Sequence, residues 1–288
     1  MWIRRILKHL CTIFATALLG GLLGATLVRL APGFGVHEEE LDSRLSQESI
    51  SSLRRESKKE SNLLQFYVHY LSGLVTGNLG VSRSLGRPVT ELLADRIPVT
   101  LRSIGIGLVA GWLLGLLLAL PTAMFQSVVY ELFSGFVSGL FLCLPAAALA
   151  LLFLFVDGPT PLAIGLVVFP RVYRYVRNVM VDTRTLPHIV AAKAKGLGEN
   201  RILWWHIVLC SLPQILALAG VSVSMALGAA IPIEVVCDSP GIGQLAWQAA
   251  LGRDLPLLVN LTLLVTLVTL IANFGSDLVS TTCGAAQT

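Results

Sequence analysis

The sequence predicts an all-α polytopic membrane protein with six spanning helices, on the strength of its composition, the grouping of its apolar residues and the placement of its basic ones. Of 288 residues, 55% are hydrophobic and only 13% charged, with a mean hydropathy of +0.76. Soluble domains run nearer about a quarter charged. The apolar residues form runs: 103–125, 132–156, 207–233 and 255–276 carry no charge, and 10–30 carries only Arg29. Each is long enough to cross a hydrocarbon core, which takes about 20 helical residues. A further run, 159–180, begins apolar and takes on Arg171, Arg174 and Arg177 in its second half. Unpaired backbone groups in lipid leave only helices or closed barrels. Barrel-like alternation is absent, so the runs read as helices.

The chain divides accordingly into a terminal segment with the first helix (1–31), a long loop (32–98), a core of five further helices (99–280) and a short tail (281–288). Arg4, Arg5 and Lys8 precede the first run, and Arg184, Lys193, Lys195 and Arg201 lie between the fourth and fifth. The positive-inside rule puts both clusters in the cytoplasm, the loop 32–98 outside, and the C-terminus back with the N-terminus. The first run is long for a signal peptide and no clear small-x-small cleavage site follows it, so it reads as an uncleaved helix. The net charge of +4 implies no nucleic-acid partner; these basic residues orient the chain in lipid. Cys11, Cys143, Cys210, Cys237 and Cys283 are scattered, without metal-ligand spacing or a disulfide framework, and read as small apolar fillers. Nothing in the sequence calls for a cofactor.

Three polar features interrupt the runs. The long loop has a charged front half, 37–62, and a back half, 63–93, that mixes aromatic and aliphatic residues with glycines. The loop 182–206 contains Val190-Ala191-Ala192-Lys193-Ala194-Lys195-Gly196, an alanine-rich helix former stopped by glycine. A second helix then carries Trp204 and Trp205. A plain connector with interfacial tryptophans is one reading of this loop. Small alanines that let another surface pack closely favour a docking element. The third feature follows the fifth run: Asp238-Ser239-Pro240-Gly241-Ile242-Gly243 and Arg253-Asp254-Leu255-Pro256 break helix and turn the chain on the outer face. Glu234 sits at the end of that run, at a depth where acidic residues face a polar cavity or a partner, and is a candidate for the translocation pathway.

These pieces together resemble the permease subunits of bacterial ABC importers of the dipeptide/oligopeptide/nickel family. Arg4-Arg5-Ile6-Leu7 and Leu27-Val28-Arg29-Leu30-Ala31-Pro32-Gly33 are similar to the family's first helix and its exit. Gly77-Asn78-Leu79-Gly80-Val81-Ser82, Gly86-Arg87-Pro88-Val89 and Arg96-Ile97-Pro98-Val99-Thr100-Leu101 look like the outer segment leading into the second helix. Ala192-Lys193-Ala194-Lys195-Gly196-Leu197, His206 and Leu212-Pro213 resemble the cytoplasmic coupling loop, and the Ser239–Gly243 and Arg253–Pro256 segments the loop before the last helix. The resemblance implies a type I importer permease fold and an inner-membrane location. It also implies a coupling element (Ala191, Ala192, Lys195, Gly196, Leu197, Glu199, His206) that docks in a groove of a separate ATPase. Ser239, Pro240, Gly241, Gly243, Arg253 and Asp254 would shape the outer loop. The implied partners are a second permease, identical or different, ATP-hydrolysing subunits, a periplasmic or lipid-anchored solute-binding protein, and membrane lipid. The solute would be a peptide or similar small molecule, including a nickel chelate. Departures from the family pattern are Val190 in place of the motif's Glu, a very short segment 157–161, the charged front of the long loop, and a tail without a basic ending.

No phosphate-binding loop of the G-x-x-x-x-G-K type is present, so ATP hydrolysis by that route falls to another subunit. The five histidines are dispersed and no glycine-flanked nucleophile serine occurs, so the chain does not read as an enzyme. A self-contained secondary carrier would show inverted repeats and intramembrane charge pairs. A membrane scaffold would use the same spans without a pathway. Arg171, Arg174 and Arg177, three residues apart, fit headgroup snorkelling better than a voltage sensor. Gly20/Gly24 and Gly111/Gly115 have small-xxx-small spacing that allows close helix packing without naming the partner helix.

Overall fold

The computed structural model describes residues 79–125 and 127–285, together with Ala15, Leu19 and Thr26, which are helical. The rest of the expected first span, the loop through residue 78 and the last three residues lie outside the described residues. Between residues 79 and 285 lie eight helices: α1 Val89–Phe125, α2 Val128–Cys143, α3 Ala146–Phe155, α4 Thr160–Arg184, α5 Pro187–Ala194, α6 Glu199–Val236, α7 Ile242–Leu251 and α8 Leu255–Ala285. The helix α6 runs continuously through a π turn, Leu203–Val208.

By length and apolarity α1, α6 and α8 are each able to cross a membrane, and α2 with α3 forms a fourth candidate if the bent pair is taken as one span. Two of the six expected spans therefore differ from expectation. The run 132–156 is not one straight helix: α2 and α3 meet at 95°. The cause is Leu144-Pro145. Both residues are extended (ψ 123° and 147°), since proline lacks an N–H to donate and its ring pushes the preceding residue out of the helical region. The run 159–180 does form a helix, α4, but its arginines keep it below the apolarity of a free-standing span. It does not stand free. Ala163, Ile164, Val168, Val172 and Val176 are completely buried, so the chain's own helices cover the face that lipid would otherwise meet.

The chain separates into two compact units: residues 1–95 with 246–267, and residues 96–245 with 268–288. In the larger unit α4 is the packing centre. On α1, Gly107, Gly111 and Gly115 line up at four-residue intervals against it. A Cβ at Gly107 would come within 2.7 Å of the Pro161 carbonyl, one at Gly111 within 2.9 Å of the Gly165 carbonyl, and one at Gly115 within 2.7 Å of Val172. Gly165 reciprocates, its own Cβ position lying 2.9 Å from the Gly107 carbonyl. The small-residue spacing seen in the sequence is thus an α1–α4 interlock that lets two backbones approach. On the other side of α1, Val109, Leu113 and Leu117 are exposed, as an apolar surrounding requires. The helix α6 meets α8 in the same way at Gly220, where Ser276 Oγ also donates to the Ala217 carbonyl at 3.0 Å.

In the smaller unit the chain from Gly80 to Val89 closes on itself. Ser82 N–H donates to Arg87 O (2.9 Å), Gly86 N–H to Ser82 O (3.0 Å) and Val89 N–H to Gly80 O (3.0 Å). Asn260 of α8 donates to the Leu79 carbonyl at 3.0 Å. Val89, Ala249, Leu255 and Leu257 are buried beside these polar links.

Helix endings repeat one device. After α3, α5, α6 and α7 a residue with positive φ turns the chain: Asp157 (48°), Gly196 (76°), Asp238 (49°) and Arg253 (50°). In each case the next N–H reaches back five residues: Gly158 to Phe153 O, Leu197 to Ala192 O, Ser239 to Glu234 O and Asp254 to Ala249 O. This left-handed closure satisfies carbonyls that the helix end leaves open. Glycine is the usual residue for it, and only one of the four ends uses one.

Candidate functional site

Residues 182–206 hold the end of α4, the short helix α5 and the first turns of α6, so the second helix expected in this loop is the start of a membrane-length one. The helix α5 starts at Pro187, whose missing N–H costs nothing at a first turn. Ile189 (0% exposed) and Ala192 (5%) turn inward as its anchors. The opposite face, Leu186, Val190, Ala191 and Ala194, is exposed, with Val190 at 57%. Beneath it Glu199, at the start of α6, accepts from Arg184 Nη2 at 2.5 Å and pairs with Lys193 Nζ at 3.3 Å. The Arg184 guanidinium also donates to the Ala123 carbonyl at the end of α1. One arginine thus ties α1, α4 and α6 together at the base of α5. Ala191 and Lys195 lie outward, Leu197 is half-buried, Gly196 makes the turn with nothing within 4 Å of its Cβ position, and His206 is half-buried on the π turn. Ala192, expected at an external docking surface, is part of the chain's own core. The reason is helical phase: Ile189 and Ala192, three apart, share the inner face, while Ala191 falls on the outer one.

The second constellation encloses Glu234. Sequence reasoning sent this carboxylate toward a polar cavity, whereas the structure buries it completely, at 0% exposure. Thr100 Oγ1 donates to its Oε1 at 2.7 Å, and the Gly243 N–H donates to Oε2 at 2.6 Å. Thr100 Oγ1 in turn accepts from the Ile242 N–H at 2.7 Å, which fixes the direction of its proton toward Glu234. The glycines of Ser239-Pro240-Gly241-Ile242-Gly243 make room. A Cβ on Gly241 would overlap the Glu234 carboxylate, and one on Gly243 would lie 2.6 Å from the Ile231 backbone. Their role is close approach, since both φ values are ordinary. Ser239 closes the end of α6 through its N–H. Beside the cradle Arg96 donates to Gln244 Oε1 (2.9 Å), and Gln244 Nε2 donates to Asp238 Oδ1 (2.5 Å).

In the smaller unit Asp254 is also fully buried. Its Oδ2 accepts from Ser82 Oγ (2.6 Å), Ser84 Oγ (2.9 Å) and the Ser84 N–H (3.0 Å), and its Oδ1 caps α8 by accepting from the Leu257 N–H (3.2 Å). Arg253 supplies the left-handed turn immediately before it. Buried carboxylates demand this degree of hydrogen bonding. Ser82 and Thr100 stood in the sequence only as motif residues, Arg184 only as part of a basic cluster and Ser84 not at all; none was expected to meet a carboxylate. A signal did exist: an acidic residue at the end of an apolar run needs a hydroxyl or N–H partner, and Thr100 lies at the edge of another such run.

Among the described residues the protein is helical, with several membrane-length helices, a short braced helix and polar loops locked by buried carboxylates. Residues 111–282 match the family described as "Binding-protein-dependent transport system inner membrane component", and the chain belongs to that family. It is therefore a multi-pass inner-membrane permease component of a binding-protein-dependent ABC importer, and not itself the ATPase. Its sequence is 25% identical to a probable peptide ABC transporter permease protein of Sinorhizobium fredii, over 96% of both chains. It is 24% identical to the dipeptide transport system permease protein DppB of Lactococcus lactis, covering 96% of this chain and 97% of that one. It is 23% identical to the glutathione transport system permease protein GsiC of Salmonella typhimurium, over 94% of both. In fold it is similar to a chain of the MetNI methionine ABC transporter in an inward-facing conformation, with a TM-score of 0.60, 17% identity, and coverage of 67% of this chain and 96% of that one.

Proposed function

We propose that this chain forms half of a six-plus-six-helix pathway for peptide-class solutes, and that its ATPase docks on the exposed face of α5. The observation that carries this reading is the geometry of α5. An apolar, small-residue face (Leu186, Val190, Ala191, Ala194) projects from a helix whose other side is anchored by Ile189 and Ala192. A helix held this way transmits a push as a rigid body, through Arg184 and Glu199 to the ends of α1, α4 and α6. Val190 stands where the coupling motif of the resembled family has an acid, so docking here is apolar at that point. The relatives' peptide, dipeptide and glutathione names support the solute class. The basic residues near α5, with those at Arg4 and Arg5, support a topology in which α5 and both termini face the cytoplasm. The broad apolar surface of α2, including Val129, Phe133 and Phe136, supports contact with lipid and a second permease, while a solute-binding protein works from the opposite side.

The test is Ala191→Trp in the assembled importer. The variant inserts and folds as the parent does, because its side chain points away from the core, while co-purification of the ATPase and solute-stimulated ATP hydrolysis fall by about tenfold or more. Parent-level ATPase binding and transport by this variant would reduce α5 to a connector.

A further inference from the structure

Three arginines descend α4 at every third position, and α2 answers two of them. Glu131 forms an ion pair with Arg177, and Ser138 Oγ accepts from Arg174 Nε at 3.3 Å. Arg171 is exposed and has no hydrogen-bond or ion-pair partner among the described residues. It opens instead onto a cavity of about 450 Å³ at the α2–α3 bend, walled by Phe141, Cys143, Leu144, Pro145, Met225 and Gly228. Among the described residues lining it, Arg171 carries the only charge. The cavity exists because the chain breaks at Leu144-Pro145: a straight helix would not leave this corner.

We propose that this cavity is a solute site on the import pathway and that Arg171 recognises the carboxylate of the passing solute, an inference that rests on the import function proposed above. A guanidinium presents paired donors that match a carboxylate. An ionisable residue within a membrane span is a functional-site candidate by default, and on α4 Arg174 and Arg177 have partners on α2 whereas Arg171 has none among the described residues. The volume falls in the range of small-ligand sites, roughly 300–1,000 Å³. The remaining walls offer shape without a side-chain code, which suits a site that holds the common terminal carboxylate of different peptides and ignores their side chains. Gly228 belongs to the same design. A Cβ there meets nothing within 4 Å, so a larger side chain at this position has room to extend into the cavity.

Cys143, exposed on the cavity wall, reports occupancy directly. In the assembled importer in proteoliposomes, with Cys11, Cys210, Cys237 and Cys283 replaced by alanine, the labelling rate of Cys143 by an uncharged maleimide is measured with trialanine as free acid or as C-terminal amide. The acid slows labelling about tenfold more effectively than the amide, Arg171→Gln abolishes that difference, and Arg171→Lys retains part of it. Anionic methanethiosulfonate reacts faster than its cationic counterpart, and Arg171→Gln brings the two to parity. Gly228→Leu, which fills open space without a clash, abolishes protection by either peptide. Equal protection by acid and amide, or an acid preference that survives Arg171→Gln, overturns the proposal. ATP-driven uptake is read in parallel. Acid-selective protection without uptake would refute the import function and leave the site standing, whereas uptake without acid selectivity would refute the site alone.

Discussion

The brace around Glu199 and the cradle around Glu234 each hold one carboxylate, yet they are built on opposite principles. Glu199 is 55% exposed and held by two cations, Arg184 and Lys193. Glu234 is sealed from solvent and held by a hydroxyl and a backbone N–H, with no cation bonded to it among the described residues. Exposed ion pairs contribute little to stability, roughly 0–1 kcal/mol each. A buried carboxylate is different, because removing any partner leaves a desolvated group unsatisfied. The comparison teaches that the polar loop 182–206 can change its surface without disturbing the fold as long as its footing holds, even where such a change would affect docking. In the segment 234–243, Glu234, Gly241 and Gly243 cannot change without disturbing the fold.

The largest effect should come from breaking the cradle. In Gly241→Val the added carbons overlap the Glu234 carboxylate, which has no room to retreat because Thr100 and Gly243 fix both oxygens. The expected cost is about 3 kcal/mol or more, the upper range for overpacking. Glu234→Ala fails for the complementary reason, leaving the Gly243 N–H and Thr100 hydroxyl buried without an acceptor at about 1–3 kcal/mol each. Both variants should lose most of their folded yield in detergent and unfold well below the parent in a thermal scan. Parent-like thermal stability of Glu234→Ala would show that the carboxylate is free for transport after all.

Sharpening the contrast from the other side requires two neighbouring alanines. Ala192→Trp forces a large ring into the core beside Ile189 and Ile202 and should destabilise the chain by about 1–3 kcal/mol. Ala191→Trp, one residue away and exposed, should stay within about 0.5 kcal/mol of the parent. Thermal unfolding of the two purified variants checks this, and equal destabilisation would mean that α5 sits in a different rotation. The pair also separates stability from docking, since only the outward position should affect ATPase binding without affecting the fold.

Much of this was legible in the sequence, and the failures have physical causes. Uncharged runs marked the apolar bodies of α1, α6 and α8, because a membrane-length helix announces itself by composition, while α1 and α6 begin in the polar residues before their runs, at Val89 and Glu199. The bend in the run 132–156 was also written there, as Leu144-Pro145, but its apolarity on both sides of the proline masked the break. The helix α4 was found, although its lipid-free packing was not, since enclosure by α1 and α6 is a tertiary property. In the polar loops the glycines and acids were recognised while their pairing was not. Glu234 and Thr100 are separated by 134 residues, and Asp254 and Ser82 by 172. Nothing local to any of the four residues states which hydroxyl meets which carboxylate. Arg171 was read together with Arg174 and Arg177 as snorkelling to headgroups or holding the adjoining loop; the partners of the latter two on α2 set it apart from them.

The smallest effect expected is at Gly196, and it is the finest test of the contrast. Three other helices of this chain make the same left-handed closure with Asp157, Asp238 and Arg253, so a side chain at such a position is tolerated in this fold. Gly196 has a φ of 76° and open space around its Cβ position. The whole cost of substitution is therefore conformational, with no steric part, unlike Gly241. Asn enters the left-handed region most readily among non-glycine residues, Ala less so, and a β-branched Val least. Stability should fall in that order, by a few tenths of a kcal/mol for Gly196→Asn, about 1 kcal/mol for Gly196→Ala, and more for Gly196→Val. ATPase binding should follow the same ranking, because a reluctant turn lets α5 swing off its footing on Arg184 and Glu199. The measurement is thermal unfolding and ATPase co-purification on the three variants side by side. If Gly196→Ala abolishes ATPase binding while leaving stability within about 1 kcal/mol of the parent, then the bare backbone at Gly196 is itself part of the docking surface, and the loop is less free to vary than its exposure suggests.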